Sequence, residues 1–300
     1  MIIILTTYIT INFMRIFAFT VIITVLQCSL LLPARAERVQ EHLPGNLVVN
    51  ADYQPASTDK PAVLVLHGFL QTFDFLATRN LINDISDLGY TVLAPNLSLG
   101  IPNRKQSVQC NAAHTHTEQK DLAEINFWIQ WLQNKGYHSV IMVGHSWGSQ
   151  HSLGYMLANK NPAVTAVVAI SLVRTRQKAA TQKQQLQRAS TYKKNHDNSL
   201  HAYELSFCRE YMATPDSYIS YASWTDNYVL QVLSTLKNRH VPVYVIVGGK
   251  DKRIDDRWVS AITPRVTKLI KIPNANHFFS HVSEFDLNDQ LEKLLPQIGK

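Results

Sequence analysis

Residues 139–148 read Ser-Val-Ile-Met-Val-Gly-His-Ser-Trp-Gly. The apolar run at 140–143 predicts a buried strand, and a Gly-x-Ser-x-Gly pattern follows it directly. A sharp strand-to-helix turn of this kind lifts the serine clear of the sheet, and the two glycines leave room for the tight backbone. The next helix would bring its first N–H groups and the positive end of its dipole to the serine. The stretch therefore predicts an α/β sheet that presents Ser146 as a nucleophile.

Strand and helix signals alternate on both sides of this turn. The other strand signals are apolar runs at 62–66, 90–94, 164–172, 241–247 and 268–272. Helical spacing of apolar residues appears between them, as at Leu81, Ile85 and Leu88. The alternation predicts a mostly parallel sheet flanked by helices, with a core formed by residues 37–172 and 231–300.

The stretch 173–230 breaks this alternation. It is polar and helix-prone at first and then rich in aromatic residues. Because it separates two predicted core strands, we interpret it as an inserted helical cap. Between Arg174 and Glu210 there are eight Lys and Arg residues and three Asp and Glu residues. These charges are either a solvated helix face or a means of attracting anionic substrates or a membrane surface.

Two backbone N–H groups are candidates for stabilising an oxyanion beside Ser146. The sequence His67-Gly68-Phe69 follows the first long apolar strand. Acyl-transfer enzymes stabilise the tetrahedral intermediate with convergent N–H donors, which contribute several kcal/mol. We expect one donor to be the N–H of Trp147 and the other that of Phe69, with Leu70 as the alternative.

An acid and a base follow the last two predicted strands. Asp251 comes after the run at 241–247, where a carboxylate can orient a histidine and stabilise its imidazolium. Asp255 and Asp256 are rival candidates. His277 lies in the loop after the run at 268–272, from which it can reach back to the serine and the aspartate.

With Ser146, Asp251 and His277 in this chain order, the sequence resembles the α/β-hydrolase superfamily of serine esterases, lipases and peptidases, over roughly residues 46–298. The resemblance implies these three residues as the catalytic nucleophile, acid and base, with Phe69 and Trp147 as the oxyanion donors. It implies a serine hydrolase, most simply a carboxylesterase acting on a small-molecule or lipid ester, with no cofactor and no metal. Dehalogenases and epoxide hydrolases carry Asp at the position of Ser146, which disfavours them.

Two other functions remain open at this point. The segment 144–149 also resembles prolyl iminopeptidases, but their caps usually bind the substrate's amino group with acids. The cap of this chain offers few acids, chiefly Glu204, Glu210 and Asp216. A non-catalytic binding protein on the same fold is the third possibility, and a long distance between His277 and Ser146 would favour it.

The N-terminus predicts export. Residues 1–36 read as a signal peptide with an apolar region and an Ala-x-Ala site before Glu37, and translation could also begin at Met14. We expect a periplasmic or secreted protein. The alternative is membrane association through an uncleaved anchor, since the apolar run at 16–32 is at the short limit for crossing a bilayer.

The remaining composition limits the partners. The net charge of +7 on 300 residues is far from the dense basic stripe of a nucleic-acid binder, so we expect no nucleic acid. With Cys28 in the leader, Cys110 and Cys208 could form one disulfide in an oxidising compartment or remain thiols. The spacing of Cys110, His114 and His116 fits no standard zinc motif, so no metal is expected there.

Overall fold

The computed structural model describes residues 36–175 and 177–298. The predicted signal peptide and Cys28 therefore lie outside the described residues, apart from Ala36. The strands are β1 (Glu37–Leu43), β2 (Leu47–Gln54), β3 (Ala62–Leu66), β4 (Val92–Asn96), β5 (Val140–His145), β6 (Val164–Ile170), β7 (His201–Leu205), β8 (Cys208–Ala213), β9 (Val243–Gly248) and β10 (Lys268–Ile272). The helices are α1 (Leu76–Asp87), α2 (Glu118–Asn134), α3 (Trp147–Ala158), α4 (Ala179–Lys194), α5 (Pro215–Ala222), α6 (Asp226–Asn238), α7 (Asp256–Ile262) and α8 (Val282–Leu294). None of the helices in this part of the chain is long and apolar enough to cross a bilayer.

The predicted α/β sheet is confirmed. The large sheet has the strand order β1-β2-β4-β3-β5-β6-β9-β10. From β4 to β10 neighbouring strands are parallel, whereas β1 and β2 pair antiparallel and add to β4. The runs predicted at 62–66 and 268–272 are strands with those bounds.

Hydrophobic cores cover both faces of this sheet, as the continuous apolar strands require. Alternate residues of β3 point to opposite faces: Leu64 packs in the core with α2 and α3, whereas Val63 packs in the core with α1 and α8. The carboxyl ends of β3, β5 and β9 therefore meet at one edge of a sheet that is fixed on both sides. Phe69, Ser146 and Asp251 follow these ends, and His277 follows the carboxyl end of the neighbouring strand β10.

The insertion between β6 and β9 forms the predicted cap, with one addition. Besides α4 and α5 it contains the antiparallel hairpin β7–β8. The helix α6 buries Val229, Val232, Leu233 and Leu236 and packs on α3 and β9. The expected boundary at residue 230 thus falls inside a helix that packs on the core.

The hairpin of the cap is joined to the loop that precedes α2. Cys110 and Cys208 form a disulfide in the structure. The Met212 N–H donates to the carbonyl of Cys110 at 3.1 Å, and the His114 N–H donates to the carbonyl of Met212 at 2.9 Å. The Thr214 N–H donates to the carbonyl of His114 at 3.0 Å. Residues 110–114 therefore extend the hairpin and hold this part of the cap on the core.

Candidate active site

Ser146 sits on a strained turn between β5 and α3. Its φ of 56° and ψ of −118° lie outside the regions that L residues usually adopt, a strain found at functional sites. The Ser146 N–H donates to the carbonyl of Ile170 at 2.8 Å, which ties the turn to the end of β6. A Cβ on Gly144 would lie 2.3 Å from the backbone of Gly148, and one on Gly148 would lie 2.2 Å from the carbonyl oxygen of Leu66. Both positions therefore require glycine.

The structure brings Ser146, His277 and Asp251 together. His277 Nε2 lies 3.1 Å from Ser146 Oγ, and His277 Nδ1 lies 2.7 Å from Asp251 Oδ2. A carboxylate can only accept, so Nδ1 carries a proton and donates it, while Nε2 is left to accept from the serine. His277 and Asp251 are 5% and 3% exposed. Two parallel strands, β9 and β10, thus place an acid and a base in line with the serine.

Asp251 is held in its ionised form. Burial acts to raise the pKa of its carboxyl, but the hydrogen bond and charge of His277 outweigh burial, and the pKa falls below its ordinary value. The backbone N–H of Arg253 also donates to Asp251 Oδ1 at 2.9 Å. An ionised partner on Nδ1 stabilises the imidazolium that forms when His277 takes a proton.

The rival aspartates have other roles. Asp255 caps α7 through a hydrogen bond from the Trp258 N–H at 2.8 Å and pairs with Arg174 at 2.6 Å. Asp256 pairs with Lys271 at 3.0 Å. Both side chains are satisfied away from His277, so the geometry selects Asp251.

The two predicted oxyanion donors lie on either side of Ser146. Trp147 is the first residue of α3, where backbone N–H groups have no partner inside the helix. A Cβ on Gly68 would lie 3.6 Å from Ser146 Cβ, so the loop that carries Phe69 passes beside the serine. The rings of Phe69 and Trp147 are 5.1 Å apart. Leu70, the alternative donor, is one residue further along, and its carbonyl accepts from the Val108 N–H at 2.9 Å.

A buried histidine fixes this loop. His67 Nε2 accepts hydrogen bonds from the Leu97 N–H at 3.2 Å and from Arg104 Nη2 at 3.0 Å. Because Nε2 is an acceptor, the proton is on Nδ1, which donates to the carbonyl of Gly68 at 2.8 Å. Burial and the charge of Arg104 lower the pKa of His67 to about 3. His67 is therefore a neutral support for the loop.

Comparison with known proteins agrees with this architecture. A family model described as the alpha/beta hydrolase fold matches residues 61–200. The chain has the α/β-hydrolase fold. The matched segment contains the turn at Ser146 but neither Asp251 nor His277, whose placement rests on the geometry above. A search of curated proteins finds no significant match to this α/β-hydrolase.

Solved structures similar to this α/β-hydrolase span nearly its whole described fold. Est1E from Butyrivibrio proteoclasticus is 15% identical, with a TM-score of 0.60 over 87% of this chain and 98% of that one. A soluble variant of monoglyceride lipase from Saccharomyces cerevisiae, in complex with a substrate analogue, is 14% identical, with a TM-score of 0.61 over 87% and 95%. The esterase domain of a Rhodothermus marinus protein is 11% identical, with a TM-score of 0.59 over 88% and 99%. At these identities the likeness establishes the fold.

The cap of the α/β-hydrolase closes over Ser146 and leaves a small cavity of 20 Å³. Its inner wall contains Trp147 and Tyr221, whose hydroxyl donates to the buried carboxylate of Asp121. Phe207, from the turn of the cap hairpin, contributes to the outer wall and lies 5.8 Å from the ring of Phe69. Phe207 and Tyr221 are the aromatic residues of the cap among the described residues that line this cavity.

Two of the three residues considered as metal ligands, Cys110 and His114, are engaged elsewhere. Cys110 is in the disulfide, and His114 Nε2 lies 3.1 Å from the carbonyl of Gln109. The ring of His114 stacks on Tyr211 with centroids 4.1 Å apart. Within residues 36–175 and 177–298, no group of three or more His, Cys, Asp and Glu side chains is arranged to hold a metal ion.

Proposed function

We propose that this protein is an exported serine hydrolase that cleaves carboxylic esters through an acyl-enzyme on Ser146. The observation that carries the proposal is the hydrogen-bonded series Ser146–His277–Asp251, with distances of 3.1 Å and 2.7 Å, on a strained turn of an α/β-hydrolase fold. The fold alone would not distinguish among the functions that it hosts.

The arrangement suits acyl transfer in two steps. His277 Nε2 takes the proton of Ser146 Oγ as that oxygen attacks the ester carbonyl carbon. The N–H groups of Trp147 and Phe69 stabilise the resulting oxyanion, and Asp251 stabilises the imidazolium. His277 then donates the proton to the leaving alcohol. In the second step His277 takes a proton from water as the water oxygen attacks the acyl carbon, and it returns that proton to Ser146 Oγ when the bond to the acyl group breaks and the acid is released.

The walls of the catalytic cavity favour an ester over the amino-terminal residue of a peptide. An aminopeptidase needs a carboxylate close to the serine to bind the substrate's amino group. The described residues lining this cavity include Arg174 and Arg253 but neither Asp nor Glu. Glu204 and Glu210 are exposed on the cap, and Asp216 pairs with Lys193 at 2.6 Å. The described lining of the cavity therefore offers no carboxylate to bind an ammonium group.

A non-catalytic role is also disfavoured. It would be supported by a histidine out of reach of the serine, whereas His277 is within hydrogen-bond distance of both partners.

Export is supported by the disulfide between Cys110 and Cys208, because disulfides persist in oxidising compartments. The expected signal peptide leads to the same assignment.

Covalent labelling tests the proposal. The purified protein would be treated with a fluorophosphonate probe and assayed on p-nitrophenyl esters of rising acyl length and on aminoacyl p-nitroanilides. Ser146→Ala should abolish labelling and ester turnover. Ser152→Ala, a matched change six residues further along the chain in α3, should keep both. Labelling that persists at another residue, or turnover of the anilides alone, would overturn the assignment.

A further inference from the structure

A large cleft adjoins the small catalytic cavity. The cleft has a volume of 870 Å³ and lies between the face of α4 and the first turn of α6. Arg174 and Thr175 line both spaces, so the cleft begins where the catalytic cavity ends. The catalytic cavity, at 20 Å³, has room for little more than one water molecule beside Ser146. Only a short acyl group fits there, and the rest of a substrate must extend along the cleft.

Most of the residues that line the cleft carry a polar or charged group. Small-molecule pockets are usually lined by apolar and aromatic side chains, with few polar groups. Here most of the side chains are amides, hydroxyls or charged groups, and the apolar ones are Ala179 and Leu186. Lys183, Gln187 and Lys194 lie at helical spacing on one exposed face of α4. Such a surface suits a ligand with many hydrogen-bonding groups.

The cleft is also positively charged. Among its described lining residues the one carboxylate is that of Asp226, which accepts from Arg174 Nε at 2.9 Å and from the Thr175 N–H at 2.7 Å. In the described part of the chain, neither Lys183 nor Lys194 has a carboxylate within ion-pair distance. Two ammonium groups are therefore available to an anion, on the segment where the sequence concentrates Lys and Arg.

We propose that the cleft binds the alcohol part of the ester and that this part is a hydrophilic anion, such as an acidic oligosaccharide. The catalytic cavity takes a short acyl group of about acetyl size. The inference rests on the proposed function and specifies its substrate: one water is consumed, and acetate and the free hydroxyl of the sugar are released. Lys183 and Lys194 bind the carboxylates of the sugar at a distance from the reacting carbonyl.

A charge-matched pair of substrates tests this. The protein would be assayed on an acetylated oligogalacturonate and on an acetylated neutral oligosaccharide of the same length, with p-nitrophenyl acetate as the small reference. We expect a higher kcat/KM for the acidic ester and a preference that falls as salt rises. In Lys183→Gln/Lys194→Gln the ratio of acidic to neutral kcat/KM should fall about tenfold, as the loss of two exposed ion pairs would give. The control Lys268→Gln/Lys293→Gln, outside the cleft, should keep the ratio.

A binding measurement separates this inference from the proposed chemistry. Calorimetric titration of Ser146→Ala with the same acidic and neutral oligosaccharides reports on the cleft without turnover. The inference would be overturned, with ester hydrolysis unaffected, if the two sugars gave equal kcat/KM or bound with equal affinity. It would also be overturned if the lysine substitutions left the ratio of acidic to neutral kcat/KM unchanged. Faster turnover of p-nitrophenyl hemisuccinate than of the acetate would overturn the assignment of the anion to the alcohol side. Binding of the acidic sugar with no hydrolysis of any ester would instead overturn the proposed function.

Discussion

His145 Nε2 lies 2.8 Å from the backbone carbonyl oxygen of His277. A carbonyl only accepts, so the proton of His145 is on Nε2 and the ring holds the backbone of the candidate base from the end of β5. Ser171 Oγ, just after β6, donates to the same oxygen at 3.0 Å. The position of His277 thus depends on two central strands as well as on its own loop.

His145 performs this role without adding charge. Burial and the nearby charge of His277 lower the pKa of His145 to about 3. The ring is therefore neutral at neutral pH, and the imidazolium that forms on His277 does not face a second cation. This makes His145 a positioning residue inside the Gly-x-Ser-x-Gly turn.

Removing this hydrogen bond should slow the chemistry and leave binding unchanged. In His145→Leu we expect kcat to fall about tenfold with little change in KM, because one buried hydrogen bond contributes about 1 kcal/mol to the position of the base. His145→Gln, which keeps a donor, should recover part of the loss. Ser171→Ala should give a smaller loss and should not add fully to His145→Leu, since both donate to one oxygen. Unchanged kcat in a folded His145→Leu would refute the role.

The glycine at the start of α3 is needed for close contact with β3. A Cβ on Gly148 would meet backbone atoms of Leu66 and His67, at 2.2 and 2.8 Å from their oxygens. We expect Gly148→Ala to lower the free energy of unfolding by about 3 kcal/mol or more, measured by urea denaturation. Gly68→Ala is the matched control beside the same serine, because its Cβ meets the flexible side-chain end of Gln71. Equal losses in the two variants would contradict the steric account.

The choice of acid can be tested against its neighbour. Asp251→Asn should lower kcat by roughly 10⁴-fold, because the amide favours the wrong tautomer of His277. Asp256→Asn removes the same charge five residues away, from an exposed pair with Lys271, and should retain activity. A similar loss in both variants would remove Asp251 from the proposed mechanism.

The sequence predicts the parts of the fold that have a strong local signal. The buried strand 62–66 is a continuous apolar run, and both it and the edge strand 268–272, which contains two lysines, appear with the predicted bounds. The hairpin β1–β2 was not predicted. The edge strand β1 reads Glu-Arg-Val-Gln-Glu-His-Leu, and its side chains alternate between exposed and half-buried, so it has little apolar signal.

The cap shows where local patterns are insufficient. The hairpin β7–β8 is held by hydrogen bonds to residues 110–114, which are distant in the sequence. Short polar strands such as His201–Leu205 have little apolar signal from which they could be predicted. In the site, chain order and strand ends pick out Ser146, Asp251 and His277 as candidates, and the structure places His277 within hydrogen-bond distance of the other two. Ser171 donates to the carbonyl of His277, and Arg104 donates to His67. Both contacts join residues that are distant in the sequence, and no local motif predicts them.

The disulfide should matter for stability and for the catalytic cavity. Cys110 and Cys208 are 98 residues apart, a separation for which removal of a native bridge typically costs about 2–5 kcal/mol. We expect Cys110→Ser/Cys208→Ser to unfold at lower urea concentration. Phe207 lines the cavity next to Cys208, so KM should rise more than kcat falls. An unchanged urea midpoint in the double variant, or under reducing conditions, would contradict this.

Two buried carboxyls on α2 should make the protein less stable at alkaline pH. Burial raises the pKa of Glu118 to about 8 and that of Glu124 to about 7. The folded protein therefore keeps protons that the unfolded chain releases above its ordinary pKa of 4.5. The contribution of the two carboxyls to the free energy of unfolding is fully present below pH 4.5. It is lost as pH rises towards about 7 for Glu124 and about 8 for Glu118.

Three buried histidines have the opposite effect at acid pH. Burial lowers the pKa of His67 and His145 to about 3 and that of His116 to about 4, from 6.5. The unfolded chain then binds protons that the folded protein does not, so stability falls as pH drops below 6.5. These histidines raise stability as pH rises towards 6.5, whereas Glu118 and Glu124 lower it as pH rises towards 7 and 8, so the two groups oppose each other between pH 4.5 and 6.5.

Glu118→Gln isolates the alkaline side of this profile. The amide resembles the protonated carboxyl and cannot ionise, so the variant should lose less stability than the wild type between pH 6.5 and 8. The slopes should differ by up to about 1.4 kcal/mol per pH unit, the value for one proton. Urea denaturation at several pH values measures this, with Glu292→Gln on the exposed side of α8 as the matched control. A Glu118→Gln slope equal to that of the wild type would show that Glu118 is ionised in the folded protein.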